Sequence, residues 1–244
     1  MNILAVIPAR YDSIRFPGKP LAMIGDRPMV QRVYEAANRC PNFTKVVVAT
    51  DSELVADCVG QFGGEVEMTR SDHATGTDRV AEVAQRYSEM RVIVNVQGDQ
   101  PFVTAQMLTE LVSPYLKGEF PPMTTLACPL DMATSYQDPN SVKVLCDRKN
   151  HALYFSRAPI PYFRNSGDAP VFHHLGLYAF ERDFLSKYAQ LSPTLLEKCE
   201  GLEQLRVLEH GFAIRVCITE KAVLEINTPE DLVQAQALIM APNL

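Results

Sequence analysis

The 244-residue sequence has no tryptophan, no C-x-x-C pair and no cluster of cysteine with histidine. Its six cysteines are scattered, which argues against both a zinc site and a disulfide framework. No apolar run approaches the roughly 20 residues that a membrane helix needs. The N-terminal run "MNILAVIPAR" lacks the basic segment and the small-residue cleavage site of a secretory signal. These absences predict a cytoplasmic protein.

Basic residues are also in short supply. The chain has 23 Lys and Arg against 29 Asp and Glu, a formal net charge of -6. Because affinity for nucleic acid comes mainly from summed phosphate neutralisation, this balance argues against a nucleic-acid-binding face. Any anion that the protein binds should be small and held locally. With 47% hydrophobic residues, the chain can bury the core of one large α/β domain or of one domain with a small appendage.

The first half alternates short apolar runs with helix-period segments. The runs are predicted to be strands buried on both faces, over residues 3–7, 46–49, 65–68 and 92–96. Pro28 is suited to the first turn of one helix, and Asp51 or Ser52 to the cap of another. Such alternation predicts a Rossmann-like, mostly parallel sheet flanked by helices, with ligands at the carboxyl ends of its strands.

A different pattern begins at about residue 121. The segments "MTTLACPL", "SVKVLC", "HALYFS" and "FHHLGLYAF" are strand-like, and the turn-forming "DRKN" predicts a hairpin between the second and the third. We therefore expect a small antiparallel subdomain over residues 121–180. The chain then returns to a helix in "LEQLRVLEH", a strand in "AIRVCI" and a last helix opened by "TPEDL".

The loop "IPARYDSIRFPGKP", residues 7–20, follows the first predicted strand and carries Arg10, Arg15 and Lys19. These cations, with backbone amides beside Gly18, are suited to the triphosphate of a nucleotide. The loop is not a Walker A motif, because Pro20 follows Lys19 and no earlier glycine is present. The alternative is a basic loop that only contacts solvent.

The same loop resembles the N-terminal fingerprint of the 3-deoxy-manno-octulosonate (KDO) cytidylyltransferases. The resemblance continues in family order through "VVVATD", "MTRSDHATGTDR", "VNVQGDQP", "ALYFSRAPIP", "HHLGLYAF" and "LEQLRVLEHG", and so covers most of the chain. It implies a single nucleotidyltransferase domain over residues 1–244 that makes CMP-KDO from CTP and KDO for lipopolysaccharide biosynthesis. It also implies a homodimer formed through the antiparallel subdomain.

Asp99 is predicted to follow a strand at the same sheet edge as the basic loop. A single carboxylate there can anchor Mg²⁺, which fills its coordination sphere with water and phosphate oxygens. The alternatives are a turn residue and a helix cap, of which the cap is disfavoured because the next helix is predicted to start near Thr104. The resemblance implies that Asp99 is a metal ligand and a catalytic residue with Arg10 and Lys19. It assigns further contacts with CTP to Ala9, Arg15, Arg70, Thr75, Gly76 and Gln97, and it implies that the loop "RSDHATGTDR", with Arg70, Thr75 and Gly76, recognises the cytosine base.

An acidic sugar needs a cation for its carboxylate and hydrogen-bonding groups for its hydroxyls. Arg157 could form a bidentate pair with a carboxylate. By resemblance, the other sugar-binding residues are His174, Tyr178, Glu203 and Gln204. Each also has a structural alternative: Tyr178 as core, His174 as a buried imidazole with satisfied hydrogen bonds, and Glu203 as a helix-surface partner of Arg206.

The chain departs from the resembled family near its C-terminus. The family usually reads V-D-T-P-E-D, whose first Asp is a second metal carboxylate, whereas this chain reads "EINTPED" with Asn227 at that place. An amide can coordinate Mg²⁺ but brings no charge. Glu225, two residues earlier, could reach the metal if the segment is extended. Alternatively, Asn227 caps the following helix or the change weakens catalysis.

Other functions remain open at this point. The same chemistry could act on 8-amino-KDO or on a sialic acid, since all of these sugars carry a carboxylate. A CTP-binding protein that no longer catalyses is a second alternative, motivated by Asn227. A nucleic-acid-binding module conflicts with the net charge.

Overall fold

A computed structural model describes residues 1–12, 16–165 and 169–240 of the chain. Its contacts divide the chain into two compact units. The first comprises residues 1–109 and 223–244, and the second comprises residues 110–222. In the described ranges, no helix is both long enough and apolar enough to cross a membrane.

The first unit contains a parallel sheet. Its strands are β1 (Ile3–Pro8), β4 (Lys45–Thr50), β5 (Val66–Met68) and β6 (Val92–Asn95), and a two-stranded antiparallel pair is formed by β2 (Met23–Ile24) and β3 (Arg27–Pro28). Strand β1 lies between β6 and β4, and β5 pairs with β4, all in parallel. The helices are α1 (Met29–Asn38), α2 (Glu53–Gln61), α3 (Gly76–Gln85) and α8 (Pro229–Met240). The predicted binding edge is the one where β1 and β6 end.

The predicted strands are confirmed, with one correction about burial. The side chains of β1 from residue 3 to residue 7 are completely buried, as expected for a strand with two parallel neighbours. The prediction that 65–68 is buried on both faces is wrong, because Met68 is 39% exposed and Val66 is only half-buried. In the part of the chain that the structure describes, β5 pairs with β4 alone and is an edge strand.

The helices begin near the predicted residues. Pro28 and Ser52 precede α1 and α2 as their N-cap residues. Helix α4 (Ala105–Leu116), which contains the first boundary between the units, follows Thr104, whose hydroxyl accepts a hydrogen bond from the Met107 amide at 3.2 Å. Pro28 and Ser52 make no side-chain capping hydrogen bond, so of these three helices it is α4, through Thr104, that begins at a side-chain cap.

The second unit contains strands β7 (Met123–Pro129), β8 (Lys143–Cys146), β9 (Ala152–Ser156), β10 (Phe172–Glu181) and β11 (Ile214–Ile218), with helices α5 (Arg182–Tyr188), α6 (Leu195–Glu200) and α7 (Gln204–Glu209). Strand β7 pairs with β10 in antiparallel and with β11 in parallel orientation. The predicted β8–β9 hairpin is confirmed, and Asn150 in its turn has the left-handed φ of 58° that asparagine tolerates.

The predicted fold class is confirmed: a mostly parallel sheet flanked by helices, with antiparallel strands in the centre of the chain. The antiparallel pairs of the second unit lie within the predicted range 121–180. A single domain over residues 1–244 stays a prediction.

Candidate active site

The basic loop begins directly after β1. Ala9 is buried, and its amide donates to the carbonyl of Ala49 at 2.9 Å, which holds the start of the loop against the end of β4. Arg10 donates from Nη2 to the carbonyl of His73 at 2.6 Å. Arg15, the third predicted phosphate ligand, lies outside the described residues. The tether of Arg10 joins the predicted phosphate loop to the predicted base-recognition loop.

Lys19 forms an ion pair with the predicted metal ligand. Its Nζ lies 2.9 Å from Asp99 Oδ2 and also donates to the carbonyl of Ile226 at 3.1 Å. Gly18 begins the short 3-10 turn that carries Lys19, and its φ of +71° is one that a side chain would strain. The sequence predicted both charges at this edge of the sheet but not their direct contact.

A glycine after β6 brings Asp99 close to β1. A Cβ atom built on Gly98 would lie 2.8 Å from the carbonyl oxygen of Pro8, a separation that real Cβ atoms essentially never show. Only glycine therefore permits this approach of the two backbones. Beyond it, the Asp99 carbonyl accepts the amide of Ile226 at 2.9 Å. The loops after β1 and β6 and the segment before α8 thus meet at one edge of the sheet.

Glu225 lies in this cluster as well. Its Oε1 accepts a hydrogen bond from Gln100 Nε2 at 2.8 Å, and its carboxyl contacts the Asn227 side chain. Burial, followed by the negative charge of Asp99, raises the pKa of Glu225 to about 7, against the lowering effects of Gln100, Asn227 and Lys19. The carboxylates of Glu225 and Asp99 therefore interact electrostatically. The sequence-based hypothesis that Glu225 reaches the metal region requires this proximity.

The donors present here fit Mg²⁺. In the described ranges, no three His, Cys, Asp or Glu side chains converge as a metal cluster. Magnesium nevertheless typically takes only one or two carboxylates, and Asp99 with Glu225 supplies two, beside the Asn227 amide. The two carboxylates repel each other, and a bound cation would relieve that repulsion.

Asn227 does not cap the last helix, and that alternative is wrong. Thr228 is the capping residue: its Oγ1 accepts the amide of Asp231 at 3.3 Å, while Asp231 Oδ2 accepts the Thr228 amide at 2.9 Å. Only the backbone amide of Asn227 joins this arrangement, donating to Asp231 Oδ2 at 2.8 Å. Its side chain is directed to Glu225 instead.

The predicted base-recognition loop is held by α3. Thr75 caps the helix in a capping box with Asp78, so its side chain already has a structural role. Gly76 opens the helix beside Pro8, 3.4 Å from where its Cβ would lie. Arg70 is exposed and paired with Asp72 at 3.1 Å. The contacts of Arg70, Thr75 and Gly76 with a nucleotide stay predictions.

Two residues that sequence reasoning missed hold the same loop. His73 Nε2 lies 2.5 Å from Glu82 Oε2, and that carboxylate oxygen also accepts the amide of Arg70 at 3.2 Å. Hydrogen bonding to His73 and to the Arg70 amide lowers the pKa of Glu82 in spite of its partial burial. The quoted motif "RSDHATGTDR" contained His73, but its partner lies nine residues on, beyond any local signal. Gln97, also predicted near the nucleotide, lies half-buried after β6.

In the second unit, three of the predicted sugar residues form one network. His174 Nε2 lies 2.9 Å from Thr125 Oγ1, and its Nδ1 lies 3.4 Å from Gln204 Nε2. The Tyr178 hydroxyl donates to Gln204 Oε1 at 3.1 Å. All of these side chains are buried, as the structural alternatives for His174 and Tyr178 expected. Their contact with a sugar stays a prediction.

His174 and Tyr178 share a face for a reason other than strict alternation. The pairing of β10 with β7 shifts between them, and the intervening Gly176 has a φ of +65°. The strand is therefore irregular here, yet the two rings lie 5.6 Å apart. In a regular strand, the even spacing of four residues would place both side chains on one face. That spacing alone does not guarantee the contact in a strand that is irregular between them.

Arg157 and Glu203 lie near the ends of secondary structure. Arg157 follows β9, with Nε donating to the Glu200 carbonyl at 2.8 Å and Nη1 to the Pro139 carbonyl at 3.0 Å. Glu203 precedes α7 as its N-cap residue and is half-buried. Arg206, the partner considered for Glu203, forms a buried ion pair with Glu197.

The stability of the fold should depend on pH through His174. Burial, and secondarily His173, lowers the pKa of His174 from 6.5 to about 3. Between these values the unfolded chain binds a proton that the folded chain does not, so the free energy of unfolding falls as pH falls, by up to about 1.4 kcal/mol per pH unit. Urea unfolding at pH 7.5 and 5.5 should show a smaller loss in His174→Gln than in the parent. Equal losses would contradict this assignment.

Known proteins are similar to this chain over almost its whole length. Residues 4–221 match a family model described as cytidylyltransferase. A 3-deoxy-manno-octulosonate cytidylyltransferase of Acaryochloris marina is 70% identical over 239 residues, which cover 98% of each chain. One of Synechococcus elongatus is 55% identical over 238 residues, 97% of this chain and 98% of the relative.

Two solved structures are similar. CMP:2-keto-3-deoxy-manno-octonic acid synthetase complexed with CTP matches with a TM-score of 0.93 and 40% identity, covering 98% of each chain. A 4-diphosphocytidyl-2C-methyl-D-erythritol synthase from Anaerococcus prevotii matches with a TM-score of 0.67 at 14% identity, covering 98% of this chain and 96% of its own. The second likeness concerns the fold alone.

Proposed function

The chain belongs to the cytidylyltransferase family, and from that premise we propose that it transfers CMP from CTP to the anomeric hydroxyl of KDO. It is a nucleotidyltransferase that uses CTP. The hydroxyl oxygen at C2 of the sugar bonds to the α-phosphorus, the bond from that phosphorus to pyrophosphate breaks, and the hydroxyl proton passes to solvent. The observation that carries the proposal is the 70% identity, over nearly the full length, to a relative named for this reaction.

Arg10 and Lys19 are proposed to hold the triphosphate and to stabilise the departing pyrophosphate. The tether to the His73 carbonyl orients the Arg10 guanidinium while using one of its five N–H groups. Lys19 would exchange part of its contact with Asp99 for a phosphate oxygen. Positioning and charge neutralisation of this kind supply most of the catalysis in phosphoryl transfer. The roles of Ala9, Arg15, Arg70, Thr75, Gly76 and Gln97 toward CTP follow the sequence predictions.

Asp99, Glu225 and Asn227 are proposed to hold Mg²⁺. When bound, Mg²⁺ would neutralise phosphate charge and lower the pKa of the attacking hydroxyl. Glu225 supplies the charge that Asn227 lacks, and its carboxyl must be deprotonated to do so. Because its pKa is about 7, the proton on Glu225 competes with the metal near neutral pH.

The sugar is proposed to bind through Arg157 at its carboxylate and through His174, Tyr178, Glu203 and Gln204 at its hydroxyls. His174 would act as a neutral hydrogen-bonding group, because its lowered pKa keeps the imidazole unprotonated at pH 7. Gln204 links it to Tyr178, so a change in either aromatic residue should disturb the other. None of these side chains is required to transfer a proton.

A panel of sugars tests the function and the substrate together. Pyrophosphate release is measured with CTP, Mg²⁺ and KDO, 8-amino-KDO or a sialic acid, with UTP and ATP as nucleotide controls. We expect the highest kcat/KM with CTP and KDO. A higher kcat/KM with another acidic sugar would support the cytidylyl transfer but identify that sugar, rather than KDO, as the substrate. Nucleotide binding without turnover at saturating Mg²⁺ would favour the non-catalytic alternative.

We further propose a homodimer that acts in the cytoplasm, as the family resemblance implied. The second unit exposes large apolar side chains, with Leu153 63% and Tyr162 88% exposed. A second copy of the chain would remove such apolar side chains from water, which supports the proposal. Light scattering coupled to size-exclusion chromatography at micromolar concentration would measure the mass, and a monomeric mass would contradict the proposal.

A further inference from the structure

We propose that Lys143 and Glu200 are positioning residues for Arg157, holding its guanidinium so that its outer edge can bind the carboxylate of the sugar. The inference rests on the proposed function, in which Arg157 binds that carboxylate. Neither residue was among the sites predicted from the sequence.

The Arg157 side chain is fixed by two backbone carbonyls from separate segments. Nε donates to Glu200 at the end of α6, and Nη1 donates to Pro139 in the turn before β8. Nη2 makes no hydrogen bond with the described residues. A carboxylate would therefore be bound end-on, by Nη2 and the second N–H of Nη1, rather than along the side that contains Nε.

Both carbonyls are themselves held in place. The Glu200 carbonyl belongs to the last turn of α6, where free carbonyls attract a cation. That helix is tied to α7 by the buried pair of Glu197 with Arg206, at 2.9 Å from Oε2 to Nε. In the turn, Asp138 accepts the Asn140 amide at 2.9 Å, which stabilises the backbone on either side of Pro139. The guanidinium thus has two fixed supports.

The Glu200 carboxylate holds the strand end that carries Arg157. Its Oε2 accepts the Arg157 amide at 3.0 Å, and its Oε1 accepts the Ser156 hydroxyl at 2.6 Å. The Tyr154 hydroxyl lies 3.5 Å from the same oxygen. Glu200 therefore contacts Arg157 through both its carboxylate and its backbone carbonyl.

Lys143 links the turn before β8 to the backbone of Arg157. It is fully buried in β8, and its Nζ donates to the Asp138 carbonyl at 2.6 Å and to the Arg157 carbonyl at 3.0 Å. One ammonium thus joins the turn that supports the guanidinium to the backbone of Arg157 itself. Burial lowers the pKa of Lys143, while the charge of Asp138 opposes that lowering.

A buried ammonium is costly to desolvate, and an apolar side chain of similar length would avoid that cost. The two carbonyls that Lys143 joins account for its presence, since each would otherwise lack this donor. Its charge also adds to that of Arg157 near the proposed carboxylate site. Both effects favour binding of an acidic sugar.

The test compares Michaelis constants for the two substrates. In Lys143→Met and Glu200→Gln, we expect the KM for KDO to rise about 10- to 100-fold, as displacement of a binding group by about 1 Å can produce. The KM for CTP and the melting temperature are measured in parallel, and the KM for CTP should change less than about twofold. Lys149→Met and Glu220→Gln, at exposed positions of the same unit, are the matched controls.

A double-mutant cycle separates positioning from general loss of stability. If Lys143 acts through Arg157, adding Lys143→Met to Arg157→Ala should raise the KM for KDO no further. Should Lys143→Met fail to fold, Glu200→Gln with Arg157→Ala serves as the cycle. Additive effects, or equal rises in both KM values, would overturn the inference. Absence of KDO turnover in the parent would instead overturn the proposed function, and calorimetric KDO binding would then decide between the same variants.

Discussion

Asp99→Asn is expected to lower kcat by about 10²- to 10³-fold, measured at saturating CTP and KDO. The substitution removes a charge from the proposed Mg²⁺ site and breaks the 2.9 Å ion pair that holds Lys19. Metal charge stabilises such a transition state by several kcal/mol, and each 1.36 kcal/mol corresponds to a tenfold change in rate. Pyrophosphate release as a function of Mg²⁺ concentration measures the effect.

Asp57→Asn, an exposed substitution in the same unit, is the control and should retain parental activity. A second comparison, Lys19→Met, separates the two functions of Asp99. If Asp99 only holds Lys19, both variants should lose the same factor and keep the same dependence on Mg²⁺. A parental Mg²⁺ dependence in Asp99→Asn would contradict its assignment as a metal ligand.

Glu225→Gln should raise the Mg²⁺ concentration for half-maximal activity by about 10- to 100-fold. Substitutions around metal sites commonly have effects of this size. Asn227→Asp, added to Glu225→Gln, should restore much of the affinity, because it returns a carboxylate to the site. Binding of Mn²⁺, followed by electron paramagnetic resonance, measures affinity independently of turnover.

The same variants should differ in their response to pH. Burial and the charge of Asp99 raise the pKa of Glu225 to about 7, so its proton competes with the metal as pH falls below that value. The parent should therefore lose Mg²⁺ affinity between pH 8 and 6, and Glu225→Gln should lose less. Identical metal titrations for the parent and Glu225→Gln would exclude Glu225 as a ligand.

Most of the fold was predictable because its signals are local. The apolar run at 3–7 and the start of α1 after Pro28 depend on residues within one strand or one turn. Burial of 65–68 was predicted wrongly because an edge strand differs from a central one only in its neighbours. The irregularity of β10 lies at Gly176, and a glycine inside a strand pattern is a local signal for a bulge, although the size of the register shift depends on the pairing with β7.

The candidate site was predictable as a set of residue types but not as a set of contacts. The position of Asp99 after a strand indicated the right edge of the sheet. Its ion pair with Lys19, 80 residues away, and the contact of Gln100 with Glu225, 125 residues away, depend on how distant loops meet. Lys143 was missed because lysine is rarely buried, so a lysine in a strand is expected to face solvent.

The sequence by itself determined the order of strands and helices, the cluster of cations after β1 and the departure at Asn227, because each is a property of neighbouring residues. Only the tertiary structure decided that Lys19 neutralises Asp99, that Glu225 joins them, and that Arg157 is held by Glu200 and Pro139. Hydrogen bonds and burial act over a few ångströms in space, and separation along the chain does not specify that distance.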